Sequence, residues 1–291
     1  MSVAGVIALA ACGWWLARTL LARSQERQLT ARYPRDADGV FIGAGSVRVK
    51  GNRDGAVLLL HGYNDSPQSL SVVAAALHAR GWTVCVPLLP GHGRSLGAFA
   101  RSGADEWISA AREEYRQLRR THPAVAVGGL SMGGALALVL AAENPEISAV
   151  VAFAPYLHLS PARRLVGILL PVLLLGPRYW SGGGSRSVRD PVASESMIAY
   201  RRSTPRLLLQ LERVVLLARS RLTQVRQSVL IIQSREDNRI PQASTVAAFG
   251  QLGSPDKSLQ WVIGAGHVIT LDYGRDDVAR SAADWLESRL P

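Results

Sequence analysis

A serine stands between two glycines, Gly129-Leu130-Ser131-Met132-Gly133, where an apolar β-type run gives way to a helical stretch. In a G-x-S-x-G pattern the serine sits on a tight strand-to-helix turn, and a Cβ at either glycine would strike neighbouring backbone. The turn lifts the hydroxyl above the sheet edge, and the helix N-terminus behind it favours negative charge. A serine hydroxyl is a weak nucleophile and needs a base. On such a turn the helpers follow in the order serine, acid, histidine. Asp237 and His267 fall in that order, each just past an apolar run, Val229–Gln233 and Leu259–Ile263. His267 would take the Ser131 proton and return it to a leaving group, and Asp237 would orient His267 and stabilise its charged form. Glu236 is the alternative acid at that place; Asp272 follows His267 too closely for the role. A tetrahedral intermediate also needs two N–H donors. One is the backbone of Met132, and the other is expected from the loop His61-Gly62-Tyr63, at Tyr63.

These residues require a scaffold that ends strands on one edge. From Val40 onward, short apolar runs alternate with helical stretches. Strands are predicted at Ala56–Leu60, Thr83–Val86, Ala124–Gly128, Ala149–Phe153, Val229–Gln233 and Leu259–Ile263. Helices are predicted at Ser69–Ala79, Asp105–Arg120, Ala135–Glu143 and Asp276–Arg289. Continuous apolar strands alternating with helices imply a mostly parallel sheet covered on both faces. Residues 156–228 break the rhythm with an apolar run Leu165–Leu175, a Gly/Ser patch Ser181–Ser185 and an amphipathic stretch near Leu207–Leu217. They are read as a cap or lid insertion into a core formed by 37–155 and 229–291.

The blocks His61-Gly62-Tyr63, PGHGRS at Pro90–Ser95, GLSMG at 129–133, DNRIP at Asp237–Pro241 and GHVITLD at Gly266–Asp272 together resemble the bacterial carboxylesterases and monoacylglycerol lipases of the α/β-hydrolase fold. The resemblance runs from about Val57 to Leu290 and is weakest across 156–228, the variable cap of that family. It implies Ser131, Asp237 and His267 as a catalytic triad, Tyr63 and Met132 as oxyanion residues, and neither a metal nor an organic cofactor. A serine at the turn argues against the branches of the fold whose nucleophile is a carboxylate. The other histidines are read as supporting residues: His61 orders the oxyanion loop, His92 supports a turn, and His78 and His122 lie at the surface. The role of His158, which opens the cap, stays open.

Of 291 residues, 33 are basic and 22 acidic, a formal charge of +11, with 31 of the 33 basic residues arginine. The excess sits in residues 1–36, with five basic and two acidic residues, and in 156–228, with twelve and three. The cap charge suits a solvated face or anionic lipid headgroups; no aromatic-interleaved basic motif suggests nucleic acid. Two cysteines, Cys12 and Cys85, exclude a disulfide scaffold. No charge interrupts Val3–Ala17, and Leu20, Leu21 and Ala22 extend the apolar run past Arg18, so residues 1–36 are read as a membrane anchor and linker. Trp14 and Trp15 fit an interfacial belt, and the arginines that follow place the bulk of the chain on the cytoplasmic side of an inner membrane. Rival readings are a lipoprotein signal with Cys12 lipidated, a secretory signal, and a soluble amphipathic helix.

The expected activity is hydrolysis of carboxylic esters through an acyl-enzyme. The substrates expected are small-molecule or lipid esters with apolar acyl groups, such as monoacylglycerols or lysophospholipids, and Leu165, Leu169 and Leu173 of the cap are the expected lining of the acyl pocket. Acyl transfer, thioesterase or peptidase chemistry would use the same groups, and a non-catalytic binding protein is the alternative from another class.

Overall fold

The computed structural model describes residues 2–159, 161–182 and 187–290, so Gly183–Ser185 of the Gly/Ser patch lie outside the described residues. Among the described residues nine strands form two sheets. The strands are β1 (Val47–Val49), β2 (Gly55–Leu60), β3 (Thr83–Val86), β4 (Ala124–Leu130), β5 (Ala149–Phe153), β6 (Trp180–Ser181), β7 (Arg202–Ser203), β8 (Ser228–Ser234) and β9 (Lys257–Val262). Seven of them make the main sheet in the order β1-β3-β2-β4-β5-β8-β9. Only β1 runs antiparallel in it, pairing with β3. The pair β6–β7 stands apart in the cap.

Strand side chains alternate between faces, so one strand feeds two cores. In β2, Ala56, Leu58 and Leu60 join one buried cluster, while Val57 and Leu59 join the other. The first cluster is closed by α4 (Ala104–Arg119) and α5 (Met132–Glu143), the second by α2 (Ser71–Ala79) and α10 (Arg275–Glu287). This double cover is why the strands read as unbroken apolar runs rather than as alternating ones.

Two boundaries differ from expectation at the turn that matters most. β4 continues to Leu130, and α5 starts at Met132, with Ser131 alone between them. Glycines 129, 133 and 134 have low intrinsic helix and strand propensity, which hid both extensions; the close packing of α5 on β2, on β4 and on Pro155 requires them. The short β1, α3 (Leu96–Arg101) and α9 (Gln242–Gln251) carry too little pattern to be found from the sequence.

The cap contains α6 (Pro161–Leu173), α7 (Pro191–Ser196) and the β6–β7 pair. α8 (Pro205–Arg221) belongs elsewhere: Leu207, Leu211, Val214, Val215 and Ala218 are buried in the main cluster against α5. The insertion therefore ends near Thr204 rather than at 228.

α1 (Val3–Arg32) is one helix, long and apolar enough over its first part to cross a membrane. Its second half is not a linker. Ala22, Leu29 and Tyr33 are buried with Phe41 in the main cluster. Gln25 donates to the Tyr179 carbonyl, Glu26 accepts from the backbone N–H of Leu96, and the Tyr33 hydroxyl donates to the Met197 carbonyl. Arginines spaced along this stretch gave it the look of a polar tether, but the buried residues recur at helical spacing between them. Leu29→Ala is expected to cost about 2–4 kcal/mol, read as a lower urea midpoint of the full-length protein; a tether would tolerate it.

Candidate active site

The backbone turns into the left-handed region at Ser131, with φ 56°. β4 and α5 hold it from both sides, and its N–H donates to the Phe153 carbonyl at the end of β5. Its own carbonyl accepts from the N–H groups of Ala135 and Tyr156. The turn closes only because side chains are missing beside it. A Cβ on Gly133 would lie 1.8 Å from the Leu60 carbonyl oxygen, and one on Gly129 would lie 2.4 Å from the Gly133 carbonyl carbon.

The structure brings together the three residues expected from three distant segments. Ser131 Oγ lies 2.8 Å from His267 Nε2, and His267 Nδ1 lies 2.8 Å from Asp237 Oδ2. Asp237 follows β8, where its Oδ1 accepts from the N–H groups of Arg239 and Ile240 and its Oδ2 from the Gln233 amide. Burial of its carboxyl raises the pKa, but His267 and the two backbone donors outweigh this and hold it below the usual carboxylate range. Glu236 turns away instead and accepts from the Gly264 N–H. Asp272 touches neither histidine nitrogen. Its carboxylate is fully buried and accepts from the N–H groups of Arg189, Asp190, Gly266 and Tyr273, tying the His267 loop to the cap. Its residue type carried no signal for that role, because the donors are backbone groups from two distant segments.

The loop after β2 is ordered by His61. Its Nδ1–H donates to the Gly62 carbonyl and its Nε2 accepts from the Leu89 N–H, so both ring nitrogens are engaged by backbone. Burial lowers its pKa to about 4, keeping the imidazole neutral. His92 packs edge-on against it, and burial together with His61 pushes its pKa well below the usual histidine value. Asp65 closes the same loop: burial raises its carboxyl to about 7, against hydrogen bonds from Ser69 and the N–H groups of Ser66 and Gly62. Tyr63 reaches into the cap, its hydroxyl hydrogen-bonded to the Ser203 hydroxyl.

Ser131 and His267 open onto a cavity of about 310 Å³ between the sheet edge and the cap. Tyr156, Trp180, Met197, Leu208 and Leu211 supply much of its apolar wall, with Arg201 and Arg239 on the same wall. None of these is expected from the sequence as pocket lining; the amphipathic stretch near Leu207–Leu217 reads only as part of the cap. Leu165, Leu169 and Leu173 do not line the cavity. Leu165 and Leu169 are exposed and Leu173 is half-buried, because α6 lies outside α8 and not over the serine. Among the described residues no cluster of three or more His, Cys, Asp or Glu is placed to hold a metal ion.

Residues 51–273 match the Hydrolase_4 family, described as serine aminopeptidase, S33. The chain belongs to the Hydrolase_4 family. It is 32% identical to a thermostable monoacylglycerol lipase of Bacillus sp. (strain H-257), over 79% of this chain and 89% of that protein. A carboxylesterase of Bacillus subtilis (strain 168) is 26% identical over 80% of this chain and 93% of its own length. Among solved structures, one from work on the metagenome-derived lipolytic enzymes LipS and LipT superposes with a TM-score of 0.78 at 28% identity, covering 86% of this chain and 99% of its own. A monoacylglycerol lipase of Paleococcus ferrophilus shares the fold, with a TM-score of 0.73 and coverage of 84% and 98%. This Hydrolase_4 member is a serine ester hydrolase of the lipase and esterase type, with the α/β-hydrolase fold.

Two expectations follow from the geometry. Gly133→Ala should abolish correct formation of the turn, because the blocking atoms are backbone; soluble yield and secondary-structure signal should both fall, whereas an exposed Gly250→Ala should leave them unchanged. Acid should destabilise the enzyme through His61. Below about pH 6.5 the unfolded chain binds a proton there that the native state refuses until about pH 4, so stability falls through that window by about 3 kcal/mol. Asp65 acts in the opposite direction, stabilising at low pH and losing that contribution as pH rises toward 7. The urea midpoint of Asp65→Asn, in which that opposition is removed, should therefore fall more steeply than that of the parent between pH 6.5 and 4.

Proposed function

We propose that the enzyme hydrolyses carboxylic esters carrying one apolar acyl chain, through an acyl-enzyme on Ser131. The observation that carries this reading is the unbroken hydrogen-bond line Ser131–His267–Asp237, opening onto a mostly apolar cavity beneath the cap. Ser131 Oγ attacks the ester carbonyl carbon as His267 Nε2 takes its proton. Negative charge on the carbonyl oxygen is met by the backbone N–H groups of Met132 and Tyr63. The intermediate collapses, the C–O bond breaks, and the alcohol leaves with the proton from His267. Water then attacks the acyl-enzyme, giving its proton to His267, and a second collapse releases the carboxylic acid and restores the serine hydroxyl. Asp237, held in one orientation by its two backbone donors, fixes the His267 ring and balances its charge.

The relative named a monoacylglycerol lipase supports a glycerol monoester as substrate. A second reading is favoured by Arg201 and Arg239, which line the cavity and, among the described residues, pair with no carboxylate. Two cations on the wall suit the phosphate of a lysophospholipid better than a neutral glycerol.

α1 serves as the membrane anchor in this reading, with the catalytic domain on the cytoplasmic side. Support comes from its apolar first part, none of whose window residues is buried, and from Arg18, Arg23 and Arg27, which follow it.

The test is ester turnover by full-length protein across an acyl-length series, with lysophospholipid and monoacylglycerol of matched chains. Ser131→Ala should lose at least about a thousandfold in kcat and should no longer react with a fluorophosphonate. Equal turnover in the parent and Ser131→Ala would overturn the assignment.

A further inference from the structure

The apolar residues of α6 divide between two faces. Val166, Leu170 and Leu173 are half-buried, and α6 packs beside α8. Leu165, Ile168, Leu169 and Val172 form a second stripe at i, i+3, i+4 and i+7, and all four are exposed, Ile168 by 75%. A charged or polar outer face is usual for a helix in water; this one presents hydrocarbon.

The C-terminal end of α6 is fastened to α1. Trp14 Nε1 donates to the Leu175 carbonyl at 3.0 Å, Arg18 Nε to the Gly176 carbonyl at 2.9 Å, and Arg18 Nη2 to the Leu174 carbonyl at 3.1 Å. These carbonyls belong to the turn that leaves α6 at its C-terminus, where backbone acceptors lack helical donors and a cation is favoured.

Depth then follows from length. A bilayer core about 30 Å thick needs about 20 helical residues at 1.5 Å each. Val3–Gly13, ahead of the contact, is eleven residues, about 16 Å. A span beginning at Val3 therefore ends near Ala22, and Trp14 to Arg18 lie roughly 6–12 Å inside that boundary, deeper than the interfacial belt expected of Trp14 and Trp15. The α6 terminus is bonded to them at the same depth. An arginine there is costly unless its N–H groups are paired, and the α6 carbonyls pair them.

We infer that α6 is a second membrane-embedded element, lying in the leaflet on the catalytic domain's side with its Leu165–Ile168–Leu169–Val172 stripe against lipid acyl chains, and that α1 fixes the cap at the bilayer. The inference rests on the anchor reading of α1. It makes the lipid bilayer the partner of the cap and brings the cavity mouth to the surface where single-chain lipid esters reside.

The experiment uses full-length protein in phosphatidylcholine/phosphatidylglycerol vesicles. An environment-sensitive fluorophore is placed either on native Cys12, an exposed cysteine within α1, or on Ile168→Cys in a Cys12→Ser background. Blue-shifted emission at 168, quenched by spin-labelled lipid and shielded from iodide, is the expected result. Solvent-like emission at 168 with a lipid-buried probe at Cys12 overturns the embedded cap and leaves the anchor standing. Solvent-like emission at both sites removes the anchor and the inference with it. Function gives a second readout: Ile168→Glu/Val172→Glu should lose about tenfold in turnover of monoacylglycerol held in vesicles and keep its rate on a water-soluble short-chain ester. Equal loss on both substrates would show that the stripe acts through folding and not through lipid. A parent enzyme inactive on both esters would instead count against the proposed hydrolase activity, while the fluorescence still decides the position of α6.

Discussion

At Ser131 a side-chain-bearing residue is held at φ 56°, a conformation that costs an L-residue about 1–2 kcal/mol. The strain persists because everything around it is rigid: β4 on one side, the first turn of α5 on the other, and hydrogen bonds to the end of β5. The two glycines are the other half of the constraint, since α5 can approach β2 only where Gly133 offers no Cβ to the Leu60 carbonyl. Moving this turn by a fraction of an ångström would break the 2.8 Å contact to His267. The local rule that a strand should not pass into a helix across a single strained residue is broken here, and the serine bonded to His267 sits at the break.

Polar burial around the turn serves the same rigidity. His61, His92, Asp65 and Asp272 are all buried; backbone groups engage both ring nitrogens of His61, Nδ1 of His92 and the carboxylates of Asp65 and Asp272, while His92 Nε2 has no hydrogen-bond partner among the described residues. Buried polar groups are expensive when unpaired and specific when paired. The two histidines stay neutral because burial disfavours their charge, so they pack beside the loop after β2 without adding a buried cation. Asp272 does for the His267 loop what His61 does for the loop after β2, and it reaches the cap through Arg189 and Asp190.

The N-terminal helix joins this arrangement to the cap. One continuous rod contacts the exit of α6 at Trp14 and Arg18, the Tyr179 carbonyl at Gln25, and the segment after α7 at Tyr33. A tether would leave the cap free to choose its position over the cavity. A packed helix with buried Leu29 and Tyr33 couples cap position to whatever holds the helix.

The sheet, its two covering layers and the three residues of the hydrogen-bonded line were legible in the sequence for a definite reason. Apolar strand runs are set by burial on both faces, and G-x-S-x-G, DNRIP and GHV each mark a place where backbone geometry permits few residue types. The sequence placed Asp237 as the acid and kept its neighbour Glu236 as the alternative, since neighbours on one loop differ in which way the chain points them; the Asx-type turn onto Arg239 and Ile240 is what aims Asp237 at His267. The cavity wall was not legible. Composition could say that Leu165, Leu169 and Leu173 are apolar, but an apolar residue looks the same in sequence whether it faces an acyl pocket, a neighbouring helix or a bilayer. Only the packing of α6 outside α8, and its fastening to α1, shows which surface each leucine meets, because facing is a property of contacts between segments far apart in the chain.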